Sequence, residues 1–497
     1  MSSQSDFNKD LKSGFFFGFI ERYSNLIVQF LVMMFLARFI SPAAFGVIAT
    51  VMVVIFFFNL IGEMGFGPAI IYHKELSLQE IRGIFLICVI IGAVLYAILA
   101  FSANQVADFF NNEIYINIMP LLGIMVFFSC ASIVPETLLR RDKKFRLIAI
   151  VTFSVAVISG VLACILAYIG YGVYSLVWKA ILFSGVRFFI VFAFFGRKFL
   201  LGSVSFHGVK KVFGFSSYQF LFNCMYYFSR NSDKFLISKF MGETAVGFYD
   251  MAYRLMLLPV QNLSGVASGA LQPVYSNNKL EDIVVSYNTV LKYLLFAGIF
   301  IFLTIIFFSE DIIYIIYGPG WELSAEILRL LSGFIIFQII LSTTGAVWQA
   351  MGMARSLFYC GLFASIVNVS AISVGVYLHD LNWIAFLLSS SSILSFIQCF
   401  WLFNKKSSAF HPMVVFKGFI GIIVLFIIVL LVMFLFKNLF IDMVFSQFSD
   451  GYVKHISTLF LGVGVQLLAT LLLGILIKNE LVTTFSNKIF SKLKAKL

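Results

Sequence analysis

A dozen ionisable side chains lie inside otherwise apolar runs of this 497-residue chain, seven basic and five acidic. Their spacing decides what each could do. Glu21 and Arg22 are adjacent, and neighbouring helix residues project about 100° apart, so the two cannot pair along one stripe. At least one of them needs a partner on another element or a water-filled space. Arg22 has a further option, a long stem that carries its guanidinium back to an aqueous boundary. Arg230 and Asp233 stand three apart, and Asp250 and Arg254 four apart, spacings that let each pair close on its own helix. With Lys234 the group carries a net positive charge. Two readings of it stay open. It is either a near-neutral clamp that satisfies its own buried charges, or a set in which an arginine reads an anion while Asp233 or Asp250 titrates. Lys179 and Arg187 are eight apart with no acidic residue in their run, which places them near one helical face as candidate lining for a space that handles an anion. Glu63 and Glu136 lie at ends of apolar runs, positions suited to capping or gating. Glu326 and Arg329, three apart, form an expected surface pair. Arg140, Arg141, Lys143, Lys144 and Arg146 crowd one short loop, which reads chiefly as an anchor on anionic lipid headgroups. The five histidines are scattered through segment ends, and the six cysteines sit in apolar stretches with no CxxC pair. No metal site and no cofactor is expected.

The elements that must hold these charges follow from composition. Hydrophobic residues make up 61% of the chain and charged residues 12%, where soluble domains carry about 25% charged residues. In water such a chain would expose apolar patches far beyond the few hundred Å² that a soluble monomer tolerates. Its solvent is therefore lipid. The apolar runs are continuous instead of alternating, which excludes a transmembrane β-barrel. At about 20 residues per crossing they fill most of the chain and leave no room for a large domain outside the bilayer. The expected fold is an all-α polytopic membrane protein with about 14 transmembrane helices. The spans fall near 14–38, 44–68, 83–102, 116–136, 147–169, 172–195, 215–239, 244–270, 288–308, 323–346, 356–377, 382–403, 414–436 and 455–477. An even count puts both termini on one side. That side holds 24 Lys and Arg against four on the other, Arg38, Lys239, Lys437 and Lys454, so the termini are expected in the cytoplasm. Topology and headgroup contact account for the net charge of +12, and no nucleic acid is implied. The first apolar run lacks a small-residue cleavage site and carries Glu21 and Arg22, unlike a removable signal peptide.

Residues 37–50, ARFISPAAFGVIAT, align with residues 238–251, SKFMGETAVGFYDM, at an offset of 201. Arg38 falls on Lys239, Phe39 on Phe240, Ala44 on Ala245 and Gly46 on Gly247. Six spans separate the copies, an even number, so the halves run parallel, as in transporters built from repeats about an axis along the membrane normal. The expected domains are an N-lobe over 1–205, a C-lobe over 206–404, an appended hairpin of spans 13 and 14 over 405–480, and a basic cytoplasmic tail over 481–497.

Several stretches carry a resemblance. They are ARFISPAAFG after span 1, EMGFGPAII at the end of span 2, VADFF, PETLLRRDKKF after span 4, GYGVYSLV at span 6, RNSDKFLISKFMGETAVGFYDMAYRL in spans 7 and 8, and YGPGW before span 10. In this order they resemble the polysaccharide transporters of the multidrug/oligosaccharidyl-lipid/polysaccharide exporter superfamily, over about residues 10–400. The branch most resembled is the bacterial flippase group for undecaprenyl-diphosphate-linked O-antigen or exopolysaccharide repeat units. The resemblance implies a multi-pass protein of the bacterial inner membrane that accepts a diphosphate and oligosaccharide headgroup from the cytoplasm while the lipid tail stays in the bilayer. The lobes then rock to release it outward, with transport coupled to an ion. Arg22, Lys179, Arg187, Arg230, Lys234 and Arg254 are then the candidate headgroup contacts. Glu21, Glu63, Asp233 and Asp250 are the candidates for ion coupling or gating. The implied partners are the lipid-linked oligosaccharide, the bilayer, and a polymerase with other polysaccharide-assembly proteins. An exporter of small organic cations on the same fold would want acidic lining, whereas basic residues outnumber acidic ones within these spans. An assembly enzyme would want a substantial exterior loop, and the longest exterior connection, 437–454, has only Asp442 and Asp450 as acids.

Overall fold

The computed structural model describes residues 4–73, 75–200, 202–275, 280–405, 412–441, 451–477, 479 and 481–483. The basic tail beyond residue 483 and the middle of the basic break after span 12 lie outside the described residues. Among the described residues every regular element is helical. Among the described residues twelve helices are long and apolar enough to cross a membrane, and they match expected spans 1–6 and 9–14 in order. The helices holding expected spans 7 and 8 are helical over those stretches but are not among the twelve.

The first unit, Met1–Gly247, holds α1 (Gln4–Leu36), α2 (Pro42–Glu63), α3 (Phe66–Tyr72), α4 (Leu78–Phe101), α5 (Ala103–Phe110), α6 (Ile114–Arg141), α7 (Phe145–Tyr168), α8 (Val173–Leu200) and α9 (His207–Met241). Helix starts follow local chemistry. Ser41 caps α2 with Pro42 in its first turn, where a missing N–H costs nothing. Ser77 and Glu80 form a reciprocal capping box on α4, each satisfying a backbone donor of the other. Within expected span 2, Met64 and Gly65 take left-handed φ of 37° and 74°, so α2 ends at Glu63 and α3 begins at Phe66. α1 begins at Gln4, about ten residues earlier than the apolar run alone predicts. Close helix approach rests on small residues, as is usual where lipid removes the hydrophobic drive between helices. A Cβ on Gly62 would lie 2.2 Å from the sulfur of Cys130, and one on Gly160 would lie 2.5 Å from Val32.

The second unit, Phe248–Leu497, holds most of α10 (Glu243–Tyr275), then α11 (Leu280–Tyr317), α12 (Glu322–Ala350), α13 (Ala354–Tyr377), α14 (Leu381–Asn404), α15 (Pro412–Phe436), a π-turn at Lys437–Ile441, and α16 (Tyr452–Leu476). Within unit 1, span 3 packs on span 4, span 4 on span 6 and span 5 on span 6. Within unit 2, spans 9 and 10, 10 and 12, and 11 and 12 pack in the same pattern. The internal packing therefore repeats with the six-span offset of the sequence. The unit boundary differs from the expected lobe boundary. It falls after α9 instead of before it, because α9 packs against α2, α3 and α4.

Candidate functional site

The C-terminal parts of α2 and α6, the middle of α8 and the short α3 surround a cavity of about 610 Å³ in unit 1, a volume typical of ligand sites. α2 contributes Phe56, Asn59 and Glu63; α6 contributes Ser129, Ser132, Glu136, Thr137 and Arg140; α8 contributes Phe183, Ser184 and Arg187. The spacing along each helix explains why these polar groups converge. Residues 129, 132, 136, 137 and 140 follow the three-and-four rhythm that keeps side chains on one face, a polar stripe in an otherwise apolar span. Asn59 and Glu63 are one turn apart on α2, and Ser184 and Arg187 share a face of α8. The hydroxyls of Ser132, Thr137 and Ser184 donate to carbonyls of their own helices, those of Phe128 (2.7 Å), Ile133 (2.6 Å) and Ala180 (3.1 Å).

Glu136 organises the charges. Its Oε1 accepts from Nη2 of Arg187 at 2.6 Å and from Nη2 of Arg140, one turn later on α6, at 3.0 Å. Arg187 also lies 5.9 Å from the ring centroid of Phe183. With Glu63 the lining holds two cations and two carboxylates. This gathers four of the residues picked out from sequence, Glu63, Glu136, Arg140 and Arg187. Arg140 belongs to the cavity, whereas Lys143 and Lys144 are exposed in the turn between α6 and α7 and Arg141 is half-buried outside the lining.

Lys179 is not in the cavity lining; it lies near Cys164 on α7. Eight residues advance a helix by about 80° beyond two full turns, enough to separate it from the face that Arg187 presents. On α1, Glu21 accepts from the hydroxyl of Thr152 on α7 at 3.4 Å, while Arg22 is exposed. The span 7 and 8 charges divide between the units. In unit 1, Asp233 is buried and accepts the backbone N–H of Lys234 at 2.8 Å, and Arg230 is exposed. In unit 2, buried Asp250 accepts from Nε of Arg254 at 2.7 Å, the intrahelical pair that four-residue spacing predicts. Arg329 does not pair with Glu326. Its Nη2 donates to Glu310 at 2.6 Å and its Nε to Ser309 at 3.2 Å, both on α11, because α12 packs along α11 and turns Arg329 toward it.

Two further arrangements had no counterpart in the sequence reading. In unit 1 the two repeat turns meet. A Cβ on Gly46 would lie 1.7 Å from the carbonyl oxygen of Glu243, and one on Gly247 would lie 1.9 Å from that of Pro42. Pro42 and Glu243 are themselves 201 residues apart, so the contact is reciprocal under the repeat. Thr50 donates to Ser238 beside it at 2.8 Å, and Tyr115 donates to Glu243 at 3.1 Å. In unit 2, α11 departs from helical geometry at Phe308. There Nζ of Lys437 donates to the carbonyl of Phe307 at 3.1 Å, and Nδ1 of His455 lies 2.7 Å from Asp311. Deeper along α16, Gln466 is fully buried, donating to the carbonyl of Phe300 at 2.8 Å and accepting from Thr304 at 3.0 Å. The appended hairpin is thus attached to α11 by polar contacts.

Comparison with known proteins places the chain. A family profile described as "Polysaccharide biosynthesis protein" matches residues 35–326. The teichuronic acid biosynthesis protein TuaB of Bacillus subtilis (strain 168) is 21% identical over 349 residues, 70% of this chain and 72% of that protein. The lipopolysaccharide biosynthesis protein WzxC of Escherichia coli (strain K12) is 20% identical over 350 residues, 68% of this chain and 70% of that protein. Among solved structures, the lipid II flippase MurJ in an inward closed conformation superposes with a TM-score of 0.73 at 17% identity, covering 94% of this chain and all of that one. An inward-facing multidrug resistance transporter of the MATE family gives 0.61 at 15% identity, covering 78% and 96%. These two likenesses concern the fold. The profile match spans more than half of the sequence, and this multi-pass α-helical membrane protein belongs to the polysaccharide biosynthesis protein family.

Proposed function

We propose that the protein is a flippase that moves an undecaprenyl-diphosphate-linked oligosaccharide, an O-antigen or exopolysaccharide repeat unit, from the cytoplasmic to the outer leaflet of the bacterial inner membrane. The observation that carries this reading is the unit 1 cavity, in which two guanidinium groups line a space of about 610 Å³ inside an apolar helical frame. The relatives named for teichuronic acid and lipopolysaccharide biosynthesis, and the fold shared with a lipid II flippase, support the substrate class.

The physical task is to carry a diphosphate and a hydrated sugar across hydrocarbon, where an unpaired charge costs several kcal/mol or far more. Arginine suits the task, since its planar fork matches phosphate oxygens and keeps its charge at any physiological pH. With both termini cytoplasmic, Glu63, Glu136 and Arg140 stand toward the cytoplasmic ends of their helices, where the headgroup enters, and Arg187 meets Glu136 from the middle of α8. The exposed loop residues Lys143 and Lys144 would concentrate anionic lipid at that entrance. Arg22, Arg230, Lys234, Lys179 and Arg254 remain candidates for contacts along the route, and Glu21, Glu63, Asp233 and Asp250 for ion coupling in an alternating-access cycle. Polysaccharide polymerase and assembly proteins would receive the product.

The test is complementation of a strain that lacks the gene. Arg187→Ala, Arg22→Ala and Arg230→Ala are expected to abolish surface polysaccharide with unchanged abundance in the membrane, and Arg187→Lys to restore part of it. Full surface polymer in all three alanine variants would overturn the reading.

A further inference from the structure

We propose that Glu136 is a built-in stand-in for substrate phosphate: its carboxylate occupies the fork of Arg140 and Arg187 and has to leave it before an anionic headgroup can bind. The proposal rests on the reading of the unit 1 cavity as the headgroup site and adds to it a step of internal competition. The geometry is that of a ligand oxygen. A single atom, Oε1, takes one N–H from each of two arginines on different helices, at 3.0 and 2.6 Å, to either side of the separation usual for charge-assisted hydrogen bonds. A phosphate oxygen bound between the same two donors would occupy the same place.

Burial distinguishes this group from a structural clamp. The Glu136 and Arg187 side chains are 21% and 23% exposed and Arg140 is 44% exposed, all on the cavity wall. The contrast lies in the carboxylate, since Asp250 is 3% exposed although its partner Arg254, on the same helix, is 50% exposed. The three cavity groups can therefore be reached by a ligand and can exchange partners.

Charge balance favours the exchange. Counted as formal charges, Glu63, Glu136, Arg140 and Arg187 sum to zero, so withdrawal of the Glu136 carboxylate raises the positive charge that the lining offers an entering diphosphate. Once Glu136 leaves, Arg187 is released to the ligand. Arg140 stays within reach because it sits one turn from Glu136 on the same helix. The competition lowers affinity by the fraction of time the fork is vacant. For a transporter this is useful, because the carboxylate can return to the fork and displace the anion at release.

The experiment uses the purified full-length protein in nanodiscs, with farnesyl diphosphate as the probe and farnesol as its uncharged control. Glu136→Gln should bind farnesyl diphosphate about tenfold more tightly than wild type, the factor expected when the two contacts to Arg140 and Arg187 lose their charge and compete only as neutral hydrogen bonds. Farnesol binding should not change. Arg187→Ala should bind the probe about tenfold more weakly, and adding Glu136→Gln to it should recover little, since the fork is already incomplete. Glu136→Asp, whose shorter side chain keeps the charge but withdraws from Arg187, should also tighten binding and guards against a folding defect in the glutamine variant. If Glu136→Gln and Glu136→Asp keep the wild-type melting temperature yet bind no more tightly, while Arg187→Ala still weakens binding, internal competition is refuted and the headgroup site survives. If Arg187→Ala leaves binding of the probe unchanged, or no variant binds it, the cavity is not the headgroup site and both readings fall.

Discussion

The reciprocal contact between the two repeat turns makes a quantitative prediction for Gly46→Ala. An ideal Cβ at this position would lie 1.7 Å from the carbonyl oxygen of Glu243 and 2.5 Å from its carbonyl carbon. Both are backbone atoms, with no flexible side-chain end to yield, so the two turns must separate by more than an ångström to reach ordinary contact. Overpacking of this kind costs about 1–3 kcal/mol, which lowers the ratio of packed to separated turns by about fivefold to more than a hundredfold. Gly247→Ala, whose Cβ would meet the carbonyl of Pro42 at 1.9 Å, should cost about the same. Because one added methyl already parts the turns, the double variant should cost little more than either single one, a strong departure from additivity. The assay is disulfide trapping. Thr50 and Ser238 are hydrogen-bonded through their hydroxyls at 2.8 Å, so the pair Thr50→Cys and Ser238→Cys, in a background without the native cysteines, should cross-link readily. Alanine at Gly46 or Gly247 should slow that cross-linking at least about fivefold. Undiminished trapping in the single variants, or costs that simply add in the double variant, would refute the argument from close approach.

Two other outcomes follow from contacts within unit 2. Gln466→Leu removes the donor to the Phe300 carbonyl and the acceptor of Thr304; side-chain hydrogen bonds between membrane helices are worth about 0.6–2 kcal/mol each, so thermal unfolding in detergent should show a lower midpoint, while a substitution at an exposed position of the same helix, such as Leu468→Ile, should leave it unchanged. Arg329→Gln should lower that midpoint by the modest amount expected of a half-exposed pair, below about 1 kcal/mol, and Glu326→Gln should leave it in place, since Glu310 is the partner of Arg329.

The residues differ in how openly the sequence declares their roles. Length and apolar periodicity settle the helical membrane architecture, because a span has to be some twenty residues long and apolar whatever it packs against. The Asp250–Arg254 pair is equally legible, since four-residue spacing closes it within one helix. The polar stripe from Ser129 to Arg140 on α6 is written in the sequence too, although serine and threonine in a membrane helix most often satisfy themselves on their own carbonyls, as Ser132 and Thr137 do here. What needs the fold is any pairing between helices. Arg187 with Glu136, Arg329 with Glu310 and His455 with Asp311 depend on rotation and depth, and residue numbers carry no rule for either. The division of Lys179 from Arg187 shows how finely rotation acts, since about 80° of helical phase places one on the cavity wall and leaves the other off it.

The same separation by rotation and depth sorts the scarce charges by role. In unit 2 the polar groups around α11 act on the protein itself. Lys437 covers the Phe307 carbonyl where α11 leaves helical geometry, His455 meets Asp311 a turn later, and Gln466 bridges to Phe300 and Thr304. A helix in lipid gains no hydrophobic drive to dock on its neighbour, and a carbonyl freed at an irregular turn has no water to bind. The appended hairpin supplies what α11 lacks at that turn, and α11 gives the hairpin specific attachment points. Gly462 completes the fit, since a Cβ there would lie 1.9 Å from the ring of Phe308. In unit 1 the cavity charges are arranged otherwise. Glu136 shares one oxygen between two arginines beside a space of ligand size, an arrangement that an entering anion can replace bond for bond. Charges around α11 that close on the backbone or on a buried partner fix the frame there, and in the proposed cycle the charges whose partner a ligand can substitute are the candidates for transport.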